Sequence, residues 1–143
     1  MAVFSQRSLD NLKGVHPKLV GVLNEAIRTT PIDFTVVEGL RTLQRQQELY
    51  AIGRTKAGSK VTNADGIRNK SNHQAKNDGY GHAVDIYPFV SGKVRVLEPY
   101  VIDNLRKITA HIKAVAASQG VKITCGIDWK NPFDPPHVEL SKF

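Results

Sequence analysis

The apolar positions of this 143-residue chain change their period several times, and each change marks an element. From Pro17 onward, Leu19, Val20, Leu23, Ala26 and Ile27 recur at helical spacing. Pro17 suits a first helical position, and Thr29, Thr30 and Pro31 close the run. Asp33 to Val37 is short and rich in β-branched residues, which predicts a strand. Thr42 is a fitting N-cap for a second amphipathic helix carrying Leu43, Gln46, Leu49 and Tyr50 and running to Gly53. Between Gly53 and Asn72 the periodicity fades into Gly, Lys and Asn. A loop of that length is uncommon in a compact domain and is often functional.

Alternation returns at Ala83 to Val90, followed by a Ser91-Gly92 turn into a partner strand, Lys93 to Leu97. Tyr100 to Gln119 is the longest helical pattern, with Val101, Leu105, Ile108, Ile112 and Val115 on one face and Gly120 placed to end it. Val121 to Cys125 and His137 to Leu140 read as two more short strands. Three helices mixed with short, mainly antiparallel strands predict an α+β fold. With no repeat and no linker, residues 1–143 read as one domain, large enough to bury its own core.

Composition narrows the function classes. The formal net charge is +7, so polyanions such as nucleic acid, anionic lipid or cell-wall polymer are natural partners. The basic residues are scattered, and no nucleic-acid-binding motif accompanies them, which argues against sequence readout. A single cysteine, Cys125, excludes an internal disulfide. The first fourteen residues lack the apolar core of a secretory signal, and no run approaches the ~20 residues of a membrane span. Synthesis in the cytoplasm without membrane insertion is therefore expected, with export left to another protein.

Chemistry concentrates in two places. Ser71 to Pro88 puts His73 and Asp85 around a glycine-containing loop that leads into the strand, and Asp134-Pro-Pro-His137 adds a histidine with an acid three residues before it. Two imidazoles and one carboxylate are a ligand set that catalytic zinc takes while keeping a fourth position for water. A spare acid would serve as base on that water. Taken singly, these residues have plainer readings. Asp85 is as readily an exposed residue on a half-buried strand, His137 a satisfied core histidine, Asp134 a turn former and Arg41 a surface arginine at a helix start.

In combination, the fragments resemble the D-Ala-D-Ala/VanY-type zinc peptidases, and within them the small phage endolysins that act as L-alanyl-D-glutamate peptidases. The family pattern Ser-x-His-x-x-Gly-x-Ala-x-Asp is met by Ser71, His73, Gly81, Ala83 and Asp85 once residues 75–79 (AKNDG) are set aside as an insertion. Asp134-Pro-Pro-His137-Val-Glu139-Leu140 resembles the downstream pattern of an acid before a zinc-binding histidine that opens a strand. Trp129 resembles the aromatic ahead of it, and Val37-Glu-Gly-Leu-Arg41-Thr42 with Gln46 resembles the arginine-bearing turn and helix. The similarity runs from about Phe34 to Leu140 in the right order. His82, the rival to His73, lies three before Asp85 and so points to the opposite face of a strand.

The resemblance implies a hedgehog/DD-peptidase-like fold with Zn2+ at the sheet face, bound by His73, Asp85 and His137. It makes Asp134 the general base and acid. It places Arg41 at the oxyanion or a substrate carboxylate, and Ser71 in the lining. It also implies a substrate, the peptidoglycan stem peptide cut between L-Ala and D-Glu, and a setting, host lysis by a phage with a holin releasing a monomeric enzyme to the wall. Two other readings stand beside it: a D-Ala-D-Ala carboxypeptidase or dipeptidase, and a non-catalytic wall-binding module. Glu139 is either a partner of His137 on the same strand face or a solvated residue.

Overall fold

The computed structural model describes residues 2–130 and 133–141. Helices α1 (Gln6–Asn11) and α2 (Pro17–Thr29), strand β1 (Phe34–Glu38) and helix α3 (Leu43–Ala51) come before a long loop. Strands β2 (Ala83–Val90) and β3 (Lys93–Val94), helix α4 (Val101–Ser118), strand β4 (Ile123–Cys125), a 3-10 turn (Gly126–Asp128) and strand β5 (His137–Leu140) follow it. The strands pair antiparallel in the order β1-β2-β5-β4, and β3 folds back on the end of β2. The α+β class read from the sequence is the one the chain adopts. No helix among the described residues is long and apolar enough to cross a membrane.

Local signals set most boundaries. His16 caps α2 by accepting the Lys18 N–H on Nδ1, with Pro17 in the first turn, and Thr42 caps α3 by accepting the Arg45 N–H. The turn between β2 and β3 has Ser91 and Gly92 both in the left-handed region, the conformation that joins tightly twisted hairpins. The core then follows from alternation. Val84 and Ile86 of β2, Val36 of β1 and Val138 of β5 point to one face, where they meet Leu19, Leu23, Leu105, Ile108 and Ile112 of α2 and α4. The opposite face of the same strands is left for polar residues.

Two elements depart from the periodicity. The β3 partner strand stops at Val94 instead of Leu97. The Arg95 N–H turns back to the Pro88 carbonyl, its Nε donates to the Val90 carbonyl, and Leu97 is left 92% exposed. In this antiparallel hairpin the next β2 residue a longer β3 would face is Pro88, which accepts the Arg95 N–H but has no N–H to give back. The chain also has a fourth α-helix, α1, where three were expected. Its single turn and a half is too short to show a period, and its inward side is polar. Ser8, fully buried, accepts the Val36 N–H on Oγ at 3.0 Å, and Asn11 Nδ2 donates to the Val36 carbonyl at 2.8 Å. Both backbone groups lie on the side of β1 away from β2, so α1 completes a strand that has only one β partner.

Ser8→Ala removes the acceptor and leaves a buried N–H unpaired, which costs about 1–3 kcal/mol. Thermal unfolding should show a lower midpoint for this variant than for wild type; an unchanged midpoint would show that α1 contributes nothing to β1.

Candidate metal centre

Strand register assembles half of the centre. Asp85 and His137 are direct partners across β2 and β5, and both lie on the face that alternation turns away from the core. His73 arrives from the loop before β2, in a tight turn held at each end. Its N–H donates to Ser71 Oγ at 3.1 Å, and the Ser71 N–H donates to Gln74 Oε1 at 2.9 Å. The His73 carbonyl accepts the Arg41 N–H at 2.8 Å, tying the turn to the start of α3. His73 and His137 are both buried, with their rings edge to face at 5.1 Å.

The hydrogen bonds decide which nitrogens face inward. His73 Nδ1 lies 3.0 Å from the Gly39 carbonyl and must donate to it, which leaves the lone pair on Nε2. His137 Nε2 lies 2.7 Å from Glu139 Oε1, which leaves the lone pair on Nδ1. These two inward atoms stand 3.4 and 3.5 Å from Asp85 Oδ1, an oxygen that is buried without a hydrogen-bond partner. Two lone pairs and an anionic oxygen facing one another repel unless a metal ion or a proton lies between them. The donor set therefore fits a divalent metal, and all its atoms lie within 4.8 Å of one another. Outside the three ligands, Glu139 and the Gly39 carbonyl fix each imidazole's tautomer and orientation. Burial penalises the charged Asp85, but His137 and His73 outweigh it and hold the carboxyl well below the usual range.

The remaining predicted residues surround this point. Asp134 Oδ2 lies 3.8 Å from His137 Nδ1 at the rim, 44% exposed. Burial raises its pKa, and Asp85 nearby raises it further, against the pull of His137, His73 and Arg41. That makes Asp134 a stronger base than a free carboxylate. It is set in place by Gly126, where a Cβ would come within 2.2 Å of the Asp134 carbonyl. Arg41 is largely committed. Nε and Nη2 clasp Glu38 at 2.8 and 2.9 Å, Nη1 donates to Gln46 Oε1 at 2.8 Å and to Ser71 Oγ at 3.4 Å, and Nη2 stands 3.8 Å from Asp85 Oδ2. Ser71, Arg41 and Asp134 all line a cleft of about 680 Å³ whose floor is the His–Asp cluster. Trp129 flanks it with its ring 5.2 Å from that of His137.

Residues 75–79 form an excursion that closes on itself, the Lys76 N–H reaching the Tyr80 carbonyl, and chain direction is recovered by Gly81. His82 turns away from the centre, as its spacing from Asp85 requires. Its Nε2 meets Asp78 Oδ2 at 2.7 Å, and His16 Nε2 approaches the same oxygen at 3.8 Å. Their composition would suit a second metal site, but His16 Nδ1 already accepts the Lys18 N–H, so its proton sits on Nε2. The group fastens the insertion to the start of α2. One partner went unassigned in the sequence, and one was left between two readings. Glu38 reads as a turn residue there, whereas Glu139 takes the first of its two readings, partner of His137, and also accepts from Asn72 Nδ2 on Oε2 at 3.0 Å.

Metal and proton compete for His137 Nδ1. Burial disfavours a charged His137, but Asp85 and Glu139 overcome it and raise its pKa to about 9. A raised pKa keeps the proton bound across neutral pH, so competition grows as pH falls and vanishes above about 9. Affinity for a divalent metal should drop on the order of tenfold per pH unit below that value. Titration against a chromophoric chelator at several pH values checks this, and a flat profile would contradict it. Glu139→Ala should weaken the metal about 10–100-fold in the same assay.

Comparison with known proteins identifies the family. Residues 1–141 match the family model described as phage L-alanyl-D-glutamate peptidase. The chain is 26% identical over 148 residues to the L-alanyl-D-glutamate peptidase of Escherichia phage T5, covering 96% of each. It is 29% identical over 142 residues to the peptidoglycan L-alanyl-D-glutamate endopeptidase CwlK of Bacillus subtilis, covering 95% of this chain and 81% of that one. Among solved structures, the Serratia marcescens L-Ala D-Glu endopeptidase ChiX superposes with a TM-score of 0.70 at 31% identity, over 96% of this chain and 89% of the other. The chain belongs to the phage L-alanyl-D-glutamate peptidase family.

Proposed function

We propose that this chain is a zinc-dependent peptidoglycan endopeptidase that hydrolyses the bond between L-Ala and D-Glu in the stem peptide. The observation that carries the reading is the convergence of His73 Nε2 and His137 Nδ1 on the unpartnered Asp85 Oδ1, at the floor of a cleft with Asp134 on its rim. Two imidazoles and one carboxylate suit zinc with an open position. When bound there, zinc supplies a Lewis acid that acidifies water and polarises a carbonyl. The remaining work falls to the chain. Asp134 takes the proton of the attacking water and returns it to the departing amine nitrogen. Glu139 and the Gly39 carbonyl hold the imidazole protons away from the centre. Arg41, braced by Glu38 and Gln46, orients Asp85 and the Ser71 turn at the substrate's path.

The same reading gives the setting. Residues 1–143 act as one monomeric domain made in the host cytoplasm, released by a holin and working on the wall during lysis. The family membership supports that order of events, and the +7 charge favours an anionic wall.

Three variants test the reading. His73→Ala should lose the bound zinc and His82→Ala should keep it, measured as metal content of the purified proteins. Asp134→Asn should keep zinc and lose about 10²–10⁴-fold in turnover on purified walls. Mass spectrometry of the released muropeptides should show a freed L-Ala carboxyl. Loss of terminal D-Ala alone would replace this activity with a carboxypeptidase, and walls left intact with zinc bound would leave a binding module.

A further inference from the structure

The three permanent cations and three acids that line the cleft balance in number, but they are not paired one to one. Among its cationic residues, Arg41 is compensated by its two-pronged contact with Glu38 and only 9% exposed. Lys60 and Lys70, both exposed, line the same cleft, and neither is paired with a described carboxylate. They stand at the two ends of one loop segment, and that segment is held firmly. Gln46 Nε2 donates to the Ala64 carbonyl at 2.7 Å, Arg54 Nη1 to the Thr62 carbonyl at 3.1 Å, and Gln74 Nε2 to the Gly66 carbonyl at 3.2 Å. Asp65 Oδ1 accepts three successive backbone N–H groups, from Ile67, Arg68 and Asn69. At the near end, a Cβ on Gly53 would come within 2.6 Å of the Lys60 nitrogen, so the loop lies directly on the end of α3. A backbone fixed in this way leaves only the two lysine side chains to be ordered when a ligand binds.

The substrate offers a matching charge. In the stem peptide D-Glu is linked onward through its γ-carboxyl, so its α-carboxylate stays free on the carbon next to the scissile nitrogen. The acids of the cleft, Asp85, Asp134 and Glu139, would repel it, and its two histidines face the metal centre. We infer that Lys60 and Lys70 are specificity-determining residues that recognise this free α-carboxylate, so that the enzyme distinguishes D-Glu from its α-amide, D-isoglutamine. The inference rests on the endopeptidase reading above and adds to it the group by which the residue after the cut is selected.

The test compares two synthetic tripeptides, L-Ala-γ-D-Glu-L-Lys and its α-amide, as substrates of the zinc-loaded full-length protein, with kcat/KM for each read by chromatography. Wild type should prefer the free acid by about ten- to a hundredfold, the range of one or two charge-assisted contacts. In the Lys60→Gln/Lys70→Gln double variant, with zinc content checked as a measure of an intact centre, the ratio should fall to near one because hydrolysis of the acid drops. Equal hydrolysis of both peptides by wild type, or a double variant that keeps the wild-type ratio, would overturn the inference alone. Failure of wild type to cut either peptide or purified walls would overturn the endopeptidase reading and the inference with it.

Discussion

The centre depends on one repulsion that the fold has to sustain. Asp85 Oδ1 is buried, charged and without a hydrogen bond, with His73 Nε2 and His137 Nδ1 both turned toward it. Such an arrangement raises the free energy of the folded protein unless a metal ion, or a proton on His137 in its place, completes it, and several contacts keep it from relaxing. Register holds Asp85 against His137, the Gly39 carbonyl and Glu139 keep both rings from flipping, and Arg41 steadies the other carboxylate oxygen from 3.8 Å. Preorganisation of this kind transfers the cost of assembling the site from the moment of binding to the moment of folding.

That constraint also explains the division of the sheet. A slip of one residue between β2 and β5 would exchange Val138 for His137 in the core and turn the ligands outward with every other side chain. The apolar packing of Val84, Ile86 and Val138 against α2 and α4 therefore fixes the metal geometry without touching it. Stability and site geometry are two faces of the same strands.

Much of this was legible in the sequence, for reasons that can be named. Long helices such as α2 and α4 repeat their period often enough to be read, and caps at His16 and Thr42 act locally. The α+β class followed from those elements. The candidate ligands were legible as a pattern of residue types, and the structure brings His73, Asp85 and His137 together despite the insertion at 75–79. What escaped was whatever depends on distant partners. Helix α1 is too short to have a period and meets β1 through Ser8 and Asn11, about 25 residues away. The Glu38 clasp on Arg41 and the Glu139–Asn72 bridge appear only when loops and strands from three parts of the chain meet. The insertion showed its position in the sequence but not its tie to His16.

The contacts of α1 carry one more consequence. An open sheet has two outer strands, and an outer strand with unspent N–H and C=O groups is a template on which another chain can add a strand. At the middle of β1 that template is broken, because Ser8 and Asn11 already hold both backbone groups of Val36. Six residues at the start of the chain thus act as a guard against self-association, which matters most when many copies accumulate at high local concentration.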